Sequence, residues 1–187
     1  MGLILASSSQ RRQDLLENAH ILFRVSAPHV DEYSGETHPQ LSPAELTLAN
    51  AKLKAEAVSI CHPEDDILAA DTIVYCDGRI LGKPNDLNEA FQTLQFLSAK
   101  THEVLTGVFF IQSLKKQIRQ HVCRTQVKFR SLTSEMIRDY LDRVHVLDKA
   151  GSYAYQESGS LIVEQIEGSS SNIIGLPMET VLPWLEV

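Results

Sequence analysis

Cysteine is scarce in this chain. Its three residues, Cys61, Cys76 and Cys123, are odd in number, far apart and free of any C-x-x-C pair. That spacing argues against a disulfide framework and a cysteine-based zinc site, and reads as core or incidental thiols. The seven histidines show no H-x-x-x-H spacing and read as surface or loop residues rather than metal ligands. Long apolar runs are missing as well: none approaches the roughly 20 residues needed to cross a bilayer. The amino terminus enters a short apolar stretch without a basic region or a small-residue cleavage site, so a cytoplasmic protein with no membrane partner is expected. A basic surplus is also lacking. The formal charge of -7 disfavours non-specific binding to nucleic acid, which relies on a basic surface, while leaving phosphate chemistry open wherever cations are locally concentrated. There are no internal repeats and no low-complexity tracts.

What is present is an ordinary globular composition: 187 residues, 43% of them hydrophobic, enough for one sizeable domain or two small lobes. Its most informative stretch is Ile67 to Val74, an apolar and β-branched run with Asp71 and Thr72 in the middle. An unpaired buried carboxylate costs several kcal/mol in practice, so a strand carrying one offers it to a cation, a donor or a cleft. On these residues alone a satisfied structural acid and a catalytic acid are equally good readings.

The chain opens with an apolar strand at Leu3 to Ala6, then Ser7-Ser8-Ser9-Gln10-Arg11-Arg12, then a helix with Leu15, Leu16 and Ala19 on one face. Serine hydroxyls, first-turn amides and paired arginines fit an anion cradle and fit a solvated basic turn equally well. A second strand is expected over Leu22 to Ala27, followed by a loop with Asp31 and Glu32. Ser42-Pro43-Ala44-Glu45 is a capping box that starts a long helix to about Ile60, with Leu48, Ala51, Ala55 and Val58 as its apolar stripe and Lys52 and Lys54 flanking it. A turn at Asp77-Gly78 predicts a hairpin that ends at Gly82-Lys83-Pro84, and Asp86 caps a helix buried through Ala90, Leu94 and Leu97. Two long strands, His102 to Leu114 and His121 to Leu132, precede a helix capped by Thr133 and bearing Met136, Ile137, Tyr140 and Leu141. A boundary between lobes is placed near that helix, although no linker marks it. The last third is rich in glycine and hydroxyls, and ends in a helix docking through Val181, Leu182, Trp184 and Leu185.

Taken as a set, these segments resemble the Maf family of nucleoside triphosphate pyrophosphatases over nearly the whole chain. The resemblance is carried by Leu5 to Arg12, Asp31-Glu32, Ala51-Lys52, Ala70-Asp71-Thr72, Gly82-Lys83-Pro84, Thr101 to Val104 with Thr106-Gly107-Val108, Asp148 to Tyr153, and Gly168-Ser169 with Gly175-Leu176-Pro177. It implies a single α/β domain over residues 1–187, with a long mixed twisted sheet flanked by helices and two lobes around a central cleft. It also implies hydrolysis between the α and β phosphates, with a divalent cation, Mg²⁺ or Mn²⁺, as cofactor. Family members are commonly homodimers, so a homodimer is expected here.

Position by position, the resemblance makes Asp71 the proton acceptor and Glu32 a metal ligand, with Asp71 sharing the metal as the alternative. Ser7, Ser9, Arg12, Lys52 and Lys83 would hold the triphosphate. Arg11, Thr72 and Gln156 match the subfamily that cleaves dTTP and UTP, with modified pyrimidine nucleotides as further candidates. A Gln amide can complement the acceptor and donor edge of uracil or thymine. The alternatives are the relative that prefers 7-methyl-GTP, and a non-catalytic nucleotide-binding regulator of cell division. Three positions depart from the family pattern: Gln10 stands for a usual proline, Ala99 for a usual glycine, and Ser171 where bulkier residues are frequent.

Overall fold

The computed structural model describes residues 2–185. In chain order the elements are β1 (Leu3–Leu5), α1 (Gln10–Asn18), β2 (Phe23–Val25), α2 (Pro43–Cys61), β3 (Asp66–Cys76), β4 (Arg79–Leu81), α3 (Leu87–Leu97), β5 (Thr101–Gln112), β6 (Gln117–Phe129), α4 (Ser134–Arg143), β7 (Val163–Glu167), α5 (Ser170–Ile174) and α6 (Met178–Leu185). The strands form one seven-stranded sheet in the order β2-β1-β3-β5-β6-β7, with β4 paired to β3. β1 lies parallel to β2 and β3, whereas β3–β4 and β6–β7 are antiparallel, so the sheet is mixed as expected. No helix among the described residues is long and apolar enough to cross a membrane.

The chain divides into two compact units. One takes the residues up to Thr72, Thr106–Cys123 and the residues from Gly175 onward, and the other takes Ile73–Leu105 and Arg124–Ile174. Three of the four crossing points therefore fall inside β3, β5 and β6, not near Thr133. A continuous strand needs no linker where it leaves one core for the next, which is why none is visible at these three points.

In the first unit, β1 and β3 are apolar on both faces, as parallel strands covered on both sides must be. Leu5, Leu68 and Ala70 join a cluster with Leu16 of α1 and Val108, Phe110 and Val181. Ile4, Ala6, Ile67 and Ala69 join a second cluster with Ala51, Ala55 and Val58 of α2 and Phe109. The strand period of two therefore puts Asp71 on the α2 side, with Ile67 and Ala69, and Thr72 on the α1 side, with Leu68 and Ala70. Gly107 sets how closely α2 approaches, because a Cβ there would stand 2.5 Å from the Thr47 carbonyl carbon.

The second unit packs Ala90, Leu94 and Leu97 of α3 and Ile137 and Tyr140 of α4 around Val74, Val104, Val127, Phe129 and Tyr153. Ile137 and Tyr140 fill the buried stripe of α4, and Met136 is 38% exposed. The capping box of Ser42 with Glu45 and the caps at Asp86 and Thr133 all form as the sequence predicts.

Candidate active site

Asp71 emerges from β3 buried, and its carboxylate is held by α2. Lys54 Nζ donates to Oδ1 at 2.7 Å and Asn50 Nδ2 to Oδ2 at 3.3 Å. The same ammonium lies 2.7 Å from Glu32 Oε2, so one buried cation bridges two carboxylates. Asn50 also fixes the loop that brings Glu32, accepting from the Tyr33 amide at 2.8 Å and donating to the Tyr33 carbonyl at 3.0 Å. Asn50 and Lys54 stand one helical turn apart and so share a face.

Lys52, expected among the phosphate ligands, is not in this cluster. It points to solvent, 54% exposed, and pairs with Glu56 at 3.8 Å. Two residues along an α-helix is about 200° of rotation, so a helix that aims Lys54 at Asp71 must aim Lys52 away.

On the other face of β3, Arg12 reaches in from the first turn of α1. Its Nε donates to the Gly175 carbonyl at 2.8 Å, Nη1 to Ser7 Oγ at 3.0 Å and Nη2 to Thr72 Oγ1 at 3.1 Å. Burial pushes the guanidinium below its ordinary range; the Asp71 charge opposes this, Arg11 adds to it and Glu32 opposes it. Arg12 nevertheless stays a cation throughout the neutral range, because a guanidinium holds its proton in proteins. The two acids, Arg11 and Arg12 thus share one electrostatic neighbourhood. Ser7 Oγ accepts from Arg12 and from the Ser9 amide at 3.2 Å, which leaves its own proton to donate to an anion. Ser9 is the extended residue before α1 and makes no side-chain bond to the helix amides. Gly175 has φ of +122°, which favours glycine, and a Cβ there would lie 3.5 Å from both Arg12 Nε and Thr72 Oγ1.

The second unit carries Lys83 and Gln156. Lys83 is exposed just after β4, and the carbonyl of its neighbour Gly82 accepts from the Gly151 amide at 3.0 Å. Gln156 is exposed and lines a pocket of about 510 Å³ with Tyr155, Arg130, Glu164 and Gln165. The segment before it is pinned at two points. The Tyr140 hydroxyl accepts from the Ala154 amide at 2.9 Å and donates to the Ala154 carbonyl at 3.2 Å. The buried Lys149 lies 3.0 Å from Asp148 and 3.6 Å from Glu157.

Sequence reasoning therefore found Asp71, Glu32, Arg12, Ser7 and Thr72 as residues that the fold gathers in one unit. It missed Lys54, Asn50, Thr106 and Gly175. For Asn50 and Lys54 the signal was their spacing of one helical turn, which puts both on one face of α2 whichever way that face turns. Among the described residues no group of three or more His, Cys, Asp or Glu side chains could hold a metal ion. Asp71 and Glu32 are the two carboxylates that meet at Lys54.

The profile of the Maf-like protein family matches residues 2–187. A dTTP/UTP pyrophosphatase of Akkermansia muciniphila is 43% identical over 183 residues, covering 98% of this chain and 94% of the relative. Proteins of the same description from Bacillus cytotoxicus and Thermosipho melanesiensis are 46% and 42% identical, covering 94% and 97% of this chain and 89% and 94% of their own lengths. With a profile that spans the fold and relatives matched almost end to end, the chain belongs to the Maf family.

Proposed function

We propose that this chain hydrolyses nucleoside triphosphates, dTTP and UTP foremost, between the α and β phosphates to give the monophosphate and pyrophosphate. The observation that carries the reading is the buried Lys54 ammonium bridging Asp71 and Glu32, in the same unit as an Arg12 guanidinium held at every nitrogen. A purely structural acid needs one partner, not a second carboxylate on the same cation. The relatives' description as dTTP/UTP pyrophosphatases supports the substrate class.

In this reading Asp71 accepts the proton of the attacking water. Oδ1 is committed to Lys54, while Oδ2 has only the long 3.3 Å bond from Asn50 and so keeps acceptor capacity. Arg12, Lys83 and the Ser7 hydroxyl hold the phosphates, and Ser9 precedes helix amides that favour an anion. A divalent cation fits the donor set. Two carboxylates with one ammonium carry a net charge of about -1, too weak for an all-protein cage but suited to Mg²⁺, which binds through one or two carboxylates plus substrate phosphates. Glu32, with its half-exposed carboxylate, would hold it with Asp71, and when bound it would neutralise charge on the phosphates. Arg11 and Gln156 select the base, the Gln156 amide meeting the acceptor and donor edge of a pyrimidine.

A panel of the common triphosphates with Mg²⁺, scored for both products, tests this. UTP and dTTP should give monophosphate and pyrophosphate faster than GTP or ATP does, and Gln156→Glu should erode that preference. No pyrophosphate from UTP or dTTP, or a diphosphate and inorganic phosphate instead, would show the reading to be wrong.

A further inference from the structure

The Thr72 hydroxyl has three neighbours: Arg12 Nη2 at 3.1 Å, Thr106 Oγ1 at 2.9 Å and the Gly175 carbonyl oxygen at 3.4 Å. A hydroxyl offers one proton and two lone pairs. Arg12 can only donate, so one lone pair of Thr72 is committed to the guanidinium, while in the Thr72–Thr106 pair either hydroxyl can be the donor. A nucleobase edge would have to compete with these three neighbours for this oxygen. The alternation of β3 already turns Thr72 towards α1, on the face opposite Asp71.

Arg12 is correspondingly constrained. Three of its five N–H groups go to Gly175, Ser7 and Thr72, leaving one on each terminal nitrogen for an anion. A guanidinium binds phosphate well only when its plane is set, because the fork must meet two oxygens together.

We infer that Thr72, backed by Thr106, is a positioning residue that sets the Arg12 guanidinium plane for the triphosphate, and that it acts on all nucleotides alike instead of reading the base. This rests on the proposed role of Arg12 as a triphosphate ligand. Thr72 is then coupled to the phosphates, and base choice falls to Arg11 and Gln156.

Inorganic tripolyphosphate has the phosphates without a base, which makes it the discriminating probe. Its affinity is measured by calorimetry with Mg²⁺ on wild type, Thr72→Val, Thr72→Ser and Thr106→Val, beside kcat and KM for UTP, dTTP, CTP and GTP. Thr72→Val should weaken tripolyphosphate about tenfold, the size of one hydrogen bond to a charged group. It should raise KM for all four nucleotides by a common factor, and Thr72→Ser should restore both. Unchanged tripolyphosphate affinity in Thr72→Val with an altered UTP to GTP ratio would overturn the inference. If Thr72→Val fails to fold, Thr106→Val carries the same test: a smaller loss with all ligands supports the inference, and unchanged tripolyphosphate affinity overturns it. A wild type that turns over no triphosphate would remove the proposed activity, while the tripolyphosphate titration would still decide the role of Thr72.

Discussion

Replacing Lys54 by Met keeps an unbranched apolar stem but leaves Asp71 and Glu32 without their shared cation. The two losses differ in size. Asp71 is only 11% exposed at the side chain and would keep Asn50 alone, at 3.3 Å. Removing one partner of a buried pair costs about 3 kcal/mol, because the remaining charge stays buried. Glu32 is 48% exposed and can turn to water, so its share is at most about 1 kcal/mol. Lys52→Met is the matched control on the same helix. Its pair with Glu56 is solvent-exposed on both sides, so the cost is within about 0.5 kcal/mol. Urea unfolding of the two variants, read by far-UV circular dichroism, should separate them clearly, and pyrophosphate release should fall sharply only in Lys54→Met. If Lys52→Met proves the more damaging substitution by either measure, the helical-face assignment of α2 is wrong.

Two further perturbations concern the second unit. His102 is fully enclosed, its Nε2 lies 2.9 Å from the Tyr153 hydroxyl, and burial lowers its pKa to about 4. The unfolded chain takes up this proton below about 6.5 while the folded chain does not, so stability is fully present above that pH and is lost as pH falls towards 4, by about 3 kcal/mol in all. Urea midpoints across that window should show the loss, and His102→Gln should flatten the profile; an unchanged slope would contradict it. Ala99 has φ of +59°, in the left-handed region that favours glycine. Ala99→Gly should raise stability by about 0.5 to 1 kcal/mol, relief of left-handed strain outweighing the added chain entropy. A lowered thermal midpoint would refute that.

Much of the arrangement was legible from one-dimensional signals. The Ser42–Glu45 cap, the apolar stripe of α2 and the β-branched run around Asp71 fix their elements by local chemistry alone. What escaped needed rotation or long-range register. Lys52 and Lys54 are equivalent in composition and separable only by which way α2 faces, and this depends on Gly107 letting α2 settle against β5. Thr72 reads in the sequence as a β-branched strand residue, and by resemblance as a specificity position. Its real partners, Thr106 and Gly175, are 34 and 103 residues away, beyond any periodicity. Three of the crossings between the two units were invisible because β3, β5 and β6 simply continue through them.

The central claim is that the carboxylate bridged by Lys54 drives phosphoanhydride hydrolysis, and Asp71→Asn tests it most directly. The amide keeps the side chain's shape and can still accept from Lys54 and leave the fold intact, but it cannot take the proton of an attacking water. Single-turnover release of pyrophosphate from UTP with Mg²⁺ should fall about 10² to 10⁴-fold while nucleotide binding persists. Full activity in Asp71→Asn would contradict the account.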